Sequence, residues 1–427
     1  MNVFVFPACN EPGLEIIQAL RKSNKFSLFG GSSGKGRYDP ARFLVEHYVE
    51  CPYYQAPGFR EQFAAILRDC HIDIVFPAWD PLVAVCSEMR VEGVTFVTPR
   101  AEIARLLLSK RATYARLGGA VAVPRLYTLQ NAQLPLFVKP DQGSGSRGSY
   151  VARSRDELSP ALGDETLLCE HLPGDEYTVD CISDRSGVLL FANVRVRANI
   201  GRGVALGTRP VDEPAVAEQV EAIARALRIE GPWFAQFKKN AAGEPVLLEV
   251  NARIGGSMTL TRLGGVNIPL IAAFLYGGDC VRVPRMCRDV VLNRCLRNFC
   301  DCAPFDWVVW DLDDTLLRKD GKPDPEVMAC LYDLNNRGKR QLLLTRNGNA
   351  RALLRLYQVP DFFIEVCISE DKAETLAALI ARHGIAPERC VMVNDSYSER
   401  FVLEAAFPAL RVVAPDAVDY LGRETGR

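Results

Sequence analysis

The sequence predicts an α/β protein of more than one unit, and three observations carry that prediction. Short apolar runs alternate with amphipathic helical stretches from the first residues onward. A mainly strand-forming middle interrupts that alternation, and the alternation starts afresh at Trp307. The 427 residues are enough for about three domains at ~150 residues each.

Composition narrows the class. Hydrophobic residues make up 48% of the chain and the formal charge is −1. A large core is therefore expected, and bulk electrostatics make no case for nucleic acid or an anionic membrane. The start, MNVFVFPACN, lacks a basic leader, and no run of about 18 apolar residues occurs. Neither a signal peptide nor a membrane span is expected, which points to the cytoplasm. The 14 cysteines form no CxxC pair, and Cys300 and Cys302 lack a second cluster. Free thiols in a reducing compartment are expected rather than zinc.

Taken in order, Asn2–Pro7 reads as a strand and about Pro12 to Ser23 as a helix, proline suiting the first turn. The strand Phe26–Phe29 runs into GGSSGKG. A phosphate-binding P-loop would need glycine where Phe29 stands and Ser or Thr where Gly36 stands, so this is a plain loop. A helix (Gly58–Cys70), the strand Ile72–Pro77, and a further helix and strand to Val97 continue a parallel βαβ pattern. Arg100–Leu117 reads as one helix, with Lys110 and Tyr114 on one face.

Leu134–Lys139 is an apolar strand ending in a basic residue. After it, Gly143, Gly145 and Gly148 interleave with Ser144, Ser146 and Arg147, either as a connector or as a cradle for phosphate oxygens. Thr166–Leu172 is a strand carrying Glu170, and GDEYTVD supplies Glu176. Arg195 and Arg197 share one strand face. Pro214–Leu227 is a packing helix. Pro232–Arg253 reads as a hairpin with Leu248 and Val250 on one face, Glu249 and Asn251 on the other, and Gln236 opposite Glu249. Its polar face is either a wet surface or a set of oxygen ligands for a hard cation.

These parts resemble, in order and spacing, the ATP-grasp superfamily, and most closely its carbamoyl-phosphate-synthase-type branch of carboxylate–amine ligases. The matching stretches are CNEPGLEIIQALRKSNKFSLFG, SKRATYARL, FVKPDQGSGSRG, EHLPGDEYTVD, AQFKKN and LEVNARIGG, covering residues 1 to about 285. The resemblance implies a Rossmann-like pre-ATP-grasp domain (1–105), an ATP-grasp α+β domain (106–285) and a linker (286–304). It implies that Lys110 and Lys139 contact ATP phosphates under the loop Gly143, Ser144, Gly145, Ser146, Arg147, Gly148. Glu170 and Leu172 would flank adenine, and Glu176 would hold the ribose. Gln236, Glu249 and Asn251 would bind Mg²⁺ (or Mn²⁺). Arg253 and Arg195 would bind a carboxylate or its acyl phosphate.

After Ala303 comes DWVVWDLDDTLL, an apolar strand delivering Asp311, with Asp313 two residues on. LLLTRN ends a strand at Thr345, Lys372 opens a helix in SEDKAETL, and VMVNDSYSE brings Asp395 and Glu399. This order resembles the haloacid-dehalogenase-like (HAD) phosphatases and implies a Rossmannoid domain over 305–427. Asp311 would be the nucleophile, Asp313 the acid–base, and Thr345 and Lys372 the phosphoryl ligands. Asp395, with Asp311 and Asp313, would hold Mg²⁺. Asn394 and Glu399 depart from the family's usual glycine and aspartate. Only 33 residues separate Asp311 from Thr345, and 26 separate Thr345 from Lys372. Neither gap holds a cap of at least ~50 residues, so an open site is expected.

The combined expectation is a bifunctional enzyme: an ATP-dependent ligase joining a small carboxylate to an amine, fused to a phosphatase for a related phosphorylated small molecule. Two alternatives stand beside it. One is a phosphatase regulated by a nucleotide-binding module, and the other a producer of acyl phosphate or carboxyphosphate without an amide product. A homo-oligomer stays open.

Overall fold

The computed structural model describes every residue except 35, 144, 159–162, 164, 202 and 425–427, with the side chains of 423 and 424 also left aside. The chain divides into two compact units, Met1–Cys295 and Leu296–Arg427. None of the helices among the described residues is long and apolar enough to cross a membrane. The cysteines lie scattered through both units, seven of them in strands or helices of the described residues.

The first unit opens with a five-stranded parallel sheet in the order His47–Glu50, Ser27–Ser32, Asn2–Phe6, Ile74–Pro77, Thr95–Phe96. Its inner strands are buried on both faces, as parallel strands covered by helices must be. The chain winds outward from Asn2–Phe6 in both directions. The gap between that strand and Ile74–Pro77 is therefore a topological switch point. The helix Glu11–Leu20 packs back on the sheet because Asn10 caps Gly13 N–H at 2.8 Å and Pro12 sits in the first turn.

The expected single helix over 100–117 is two. Ala101–Leu106 ends, and Lys110–Leu117 starts under a Ser109 cap that accepts from Ala112 N–H at 3.0 Å. Asp141, 32 residues after Ser109, accepts from Ser109 Oγ and Arg111 N–H, both at 2.7 Å. Capping from a distant loop breaks the helix without glycine or proline, so local sequence could not reveal the break.

Two antiparallel sheets follow. The smaller runs Leu126–Tyr127, Thr166–Glu170, Leu136–Pro140, Tyr150–Ala152. The larger runs Pro245–Asn251, Gly231–Lys239, Glu176–Ser183, Leu189–Gly201, Val204–Pro210, Leu292–Asn293. The helix Pro214–Leu227 buries Val216, Val220, Ile223 and Leu227 against the larger sheet's Tyr177, Trp233 and Phe237.

The second unit is a five-stranded parallel sheet in the order Phe363–Ile368, Arg340–Thr345, Trp307–Trp310, Cys390–Val393, Arg411–Val413. Its own core centres on Val308, Trp310, Leu331, Leu343 and Val391.

Gly13 leaves no room for a side chain, since a Cβ there would lie 2.3 Å from the Pro7 carbonyl oxygen. Gly13→Ala is expected to destabilise the first unit by about 1–3 kcal/mol through overpacking. Urea denaturation followed by tryptophan fluorescence measures this as a lower midpoint.

Candidate functional site

A cavity of about 180 Å³ is lined by residues from both antiparallel sheets. Its floor is set by Lys139, which is 5% exposed. Lys139 Nζ donates to Tyr114 Oη at 2.7 Å, and Tyr114 donates to the Leu248 carbonyl at 2.5 Å. Burial pulls the Lys139 ammonium below the ordinary lysine value and pushes the Tyr114 phenol well up. Lys110, one turn before Tyr114, donates to the carbonyls of Asp141 (3.2 Å) and Gly143 (3.1 Å). The two lysines thus meet at the root of the glycine loop.

That loop lies on the cavity wall through Gly143, Gly145, Ser146 and Arg147. Gly148 turns the chain back against Pro140 with φ of 69°, and Ser144 falls outside the described residues. The loop is covered by the turn between Leu189–Gly201 and Val204–Pro210. A Cβ on Gly203, at φ +76°, would lie 2.7 Å from the Gly145 carbonyl carbon and 2.8 Å from Ser146 Oγ.

Glu170, Leu172 and Glu176 line the far end of the cavity. Glu176 is held by Arg197 at 2.7 Å. Arg197 also donates to Gln236 Oε1 (3.0 Å) and to the Gly203 carbonyl (2.7 Å). One buried guanidinium therefore ties a cavity carboxylate, the hairpin and the turn over the glycine loop together.

The hairpin pairs Gln236 with Glu249 and Phe234 with Asn251, as its alternation implied. The register slips between Gln236 and Phe237, and this bulge alters the faces. Leu247 and Val250 enter the core, while Leu248 lines the cavity beside Glu249. The expected pairing of Leu248 with Val250 on one face is thus corrected. Gln236 turns its amide oxygen to Arg197, so a cation here would fall to Glu249 and Asn251. The Asn251 amide nitrogen is buried with no hydrogen-bond partner, and a donor in that state calls for an acceptor such as a phosphate oxygen, whereas a cation would take the amide oxygen. Among the described residues no three His, Cys, Asp or Glu side chains cluster as a metal site. One carboxylate beside substrate phosphates is, however, the usual way to hold Mg²⁺.

The two expected carboxylate ligands differ in setting. Arg195 is 1% exposed and makes a two-point ion pair with Asp180 (2.9 and 3.0 Å) plus a bond to Ser257 Oγ. It is absent from the cavity wall, and Arg197 takes the place on that strand face. Antiparallel pairing of GDEYTVD with NVRVR sets Arg197 beside Glu176, a signal present in the sequence. Arg253 is gripped at two points by Asp80, both 2.8 Å.

In the second unit, Asp311 and Thr345 stand at the carboxyl ends of neighbouring strands, and Asp395 follows a third. Asp311 accepts from Leu312 N–H (2.8 Å) and from Lys372 Nζ (2.6 Å). Burial raises the Asp311 carboxyl against the opposing pull of Lys372. Burial likewise raises Asp395, with Asp314 adding to it. Lys372 also reaches Glu399 at 2.6 Å, and Asn394 donates to that same carboxylate. Thr345 is fully buried and accepts from Asn347 N–H. The Asn347 amide holds both oxygens of Asp313 (2.9 and 3.1 Å), a contact the motif reading missed. Thr315 Oγ is buried without a partner. Asp313 and Asp395 are exposed, and only short elements lie between the motifs. An anion and a cation both suit this donor and acceptor set.

Two outcomes follow from the first cavity. Gly203→Ala forces the turn off the glycine loop, so limited proteolysis should cut between residues 143 and 148 faster than in the native chain. If Lys139 carries its charge to bound phosphate, ATP affinity falls as pH rises, because the charged form is lost. Burial lowers its pKa, so the midpoint of an ATP titration against pH should lie below that of an ordinary lysine, ~10.4.

Comparisons with known proteins agree with this geometry. Residues 163–292 match the family model described as ATP-grasp in the biosynthetic pathway with Ter operon. A D-alanine–D-alanine ligase of Maridesulfovibrio salexigens is 29% identical over 155 residues, 32% of this chain and 50% of that protein. The chain thus spans about half the length of this curated relative. The biotin carboxylase of Campylobacter jejuni superposes with a TM-score of 0.54 at 16% identity, covering 66% of this chain and 71% of that one. The L-amino acid ligase of Bacillus licheniformis gives 0.50 at 18% identity, covering 64% and 73%. At such identities the structures share a fold. The family match lies on strands of the larger sheet that line the cavity, and the chain is in this stretch similar to ATP-grasp proteins.

Proposed function

We propose that the first unit is an ATP-dependent carboxylate–amine ligase and the second a HAD-type phosphohydrolase acting on a related phosphorylated small molecule. The observation that carries the ligase reading is one cavity wall holding two lysines, a glycine loop and Glu249 within an ATP-grasp fold. The D-alanine–D-alanine ligase and L-amino acid ligase relatives support an amide product.

In this reading, Lys110, Lys139 and the loop Gly143–Gly148 bind the ATP phosphates. Glu170 and Leu172 flank adenine, and Glu176 takes the ribose. Bound Mg²⁺, held by Glu249 and Asn251 with Gln236 beside them, would supply charge neutralisation on the transferring phosphoryl group. A carboxylate oxygen of the acid bonds to the γ-phosphorus as the bond to ADP breaks. The amine nitrogen then bonds to the carbonyl carbon, phosphate leaves with the C–O electrons, and the proton passes to solvent. Arg253 orients the carboxylate, and the turn at Gly203 keeps water from the acyl phosphate.

In the second unit, an Asp311 oxygen bonds to phosphorus while Asp313 protonates the leaving alcohol. Water then releases phosphate, its proton going to Asp313. Lys372 and Thr345 hold the phosphoryl oxygens, and Asn347 orients Asp313. Asp395, Asp311 and the Asp313 carbonyl would hold Mg²⁺. Support comes from the ordered motifs and from Lys372 bridging Asp311 and Glu399.

An acid-by-amine screen of ADP release, with mass spectrometry for the amide, tests the ligase. Glu249→Ala is expected to cut acid-dependent ADP release roughly 100-fold or more. Asp311→Asn should abolish phosphate release from p-nitrophenyl phosphate while ADP release persists. Loss of both activities in one variant would contradict two separate sites.

A further inference from the structure

A cavity of about 580 Å³, larger than the first and sharing no residue with it, lies along the edge strand Thr95–Phe96 of the parallel sheet. Its volume falls among those of pockets that hold small organic molecules, ~300–1,000 Å³. It draws on the end of the helix Asp80–Glu88, on the stretch 89–100 that leads through the edge strand, on Arg185, and on Glu230 and Tyr276.

Arg185 is the group on this wall that lacks a counterpart. It sits in a turn fixed on both sides. Asp184 Oδ1 accepts from Ser186 N–H (2.8 Å) and Val188 N–H (2.9 Å), and Arg228 donates to the Ser186 carbonyl at 3.0 Å. The Arg185 guanidinium lies over the Tyr276 ring, 5.1 Å from its centroid. Tyr276 is buried, and its Oη donates to the Thr98 carbonyl at 2.9 Å. Gly231 makes room for that ring, since a Cβ there would lie 2.7 Å from Tyr276 Oη. Stacking holds the plane of a guanidinium while leaving its N–H donors at the rim. Among the described residues, no acceptor meets those of Arg185.

The other charges are answered. Arg100 pairs with Glu230 at 2.9 Å and donates to the carbonyls of Leu227 and Arg228. Arg90 donates from Nη1 to the carbonyls of Ser87 (3.0 Å) and Met89 (2.7 Å), which leaves its Nε and Nη2. Glu92 is exposed. Three arginines against two glutamates leave one positive charge in excess on this wall. Beside them, Met89, Val91, Val94 and Phe96 supply an apolar surface.

We infer that this cavity binds an organic monoanion, a carboxylate carried on an apolar body of one or two rings. The carboxylate takes a two-point contact from Arg185, to which Arg90 adds charge. The body lies against Val91, Val94 and Phe96. One excess positive charge suits a carboxylate better than a phosphate dianion. With no residue shared between the two cavities, this ligand binds alongside ATP rather than in its place, and the inference stands apart from the ligase reading.

Calorimetric titration of the full chain tests this with four probes of matched shape: benzoate, naphthalene-2-carboxylate, 2-naphthylmethanol and 2-naphthylmethylamine. Each is titrated with and without a non-hydrolysable ATP analogue and Mg²⁺ at saturation. Expected is carboxylate binding at least about tenfold tighter than that of the alcohol or the amine, as a charge-assisted two-point contact gives. The analogue should change that affinity less than about twofold. Arg185→Ala should weaken carboxylate binding about tenfold or more while affinity for the analogue stays within about twofold, which also shows the variant folded. Bound naphthalene-2-carboxylate should slow amide hydrogen exchange over residues 86–100. No carboxylate binding up to about 5 mM overturns the inference, as does equal affinity for all four probes. Displacement by the analogue, or binding indifferent to Arg185→Ala, places the probe elsewhere and overturns it equally.

Discussion

A buried lysine sets the terms for the first unit. Lys139 carries an ammonium into a buried setting where a phenol and a backbone carbonyl accept its hydrogen bonds and Glu249 and Glu176 supply opposite charge. Such a group is costly to bury, and it is tolerable only while Tyr114 and Leu248 stay in place. With Lys139 itself on the small sheet, those partners come from two further elements: the capped helix Lys110–Leu117 and the hairpin strand Pro245–Asn251. The same hydrogen bonds that make the charge bearable lock the walls of the cavity to each other. What remains of the lysine's unspent attraction is directed into the cavity, where a polyanion would satisfy it.

Arg197 plays the complementary part on the opposite wall. It gathers Glu176, Gln236 and the turn at Gly203, so groups assigned to sugar, metal and loop closure share one cation. A ligand that claims Glu176 or Gln236 must renegotiate all three contacts. Binding at one end of the cavity is in this way coupled to the cover over the other end through a single side chain rather than through the fold at large.

Much of this was legible in the sequence, and the reasons are physical. Closing the hairpin around Ala242–Gly243 placed Glu249 opposite Gln236, and an apolar run followed by an acid placed Asp311 at a strand end. Apolar patterning also fixed the packing helix Pro214–Leu227 to its observed limits. What escaped depends on partners far along the chain. The helix break at Ser109 needs Asp141, the hairpin bulge needs the neighbouring strand, and the burial of Arg195 needs Asp180. Asp80 escaped for a different cause, since it holds a motif residue without belonging to any motif, and Asn347, though it ends the LLLTRN stretch, was given no role there. The motif order likewise marked Asp311, Asp313, Thr345 and Lys372 while leaving unmarked the Asn347 amide that holds Asp313.

The bulge in the hairpin has a consequence for how this stretch can vary. Upstream of it the faces of the strand follow one parity, and downstream they follow the other. The single extra residue is what turns Glu249 and Asn251 toward the cavity while Leu247 and Val250 stay in the core. Flattening the bulge at unchanged length would restore a regular strand, which local geometry favours, yet it would exchange inside for outside from that point on. The irregularity, rather than the length of the segment, is therefore the feature that keeps chemistry and core in phase.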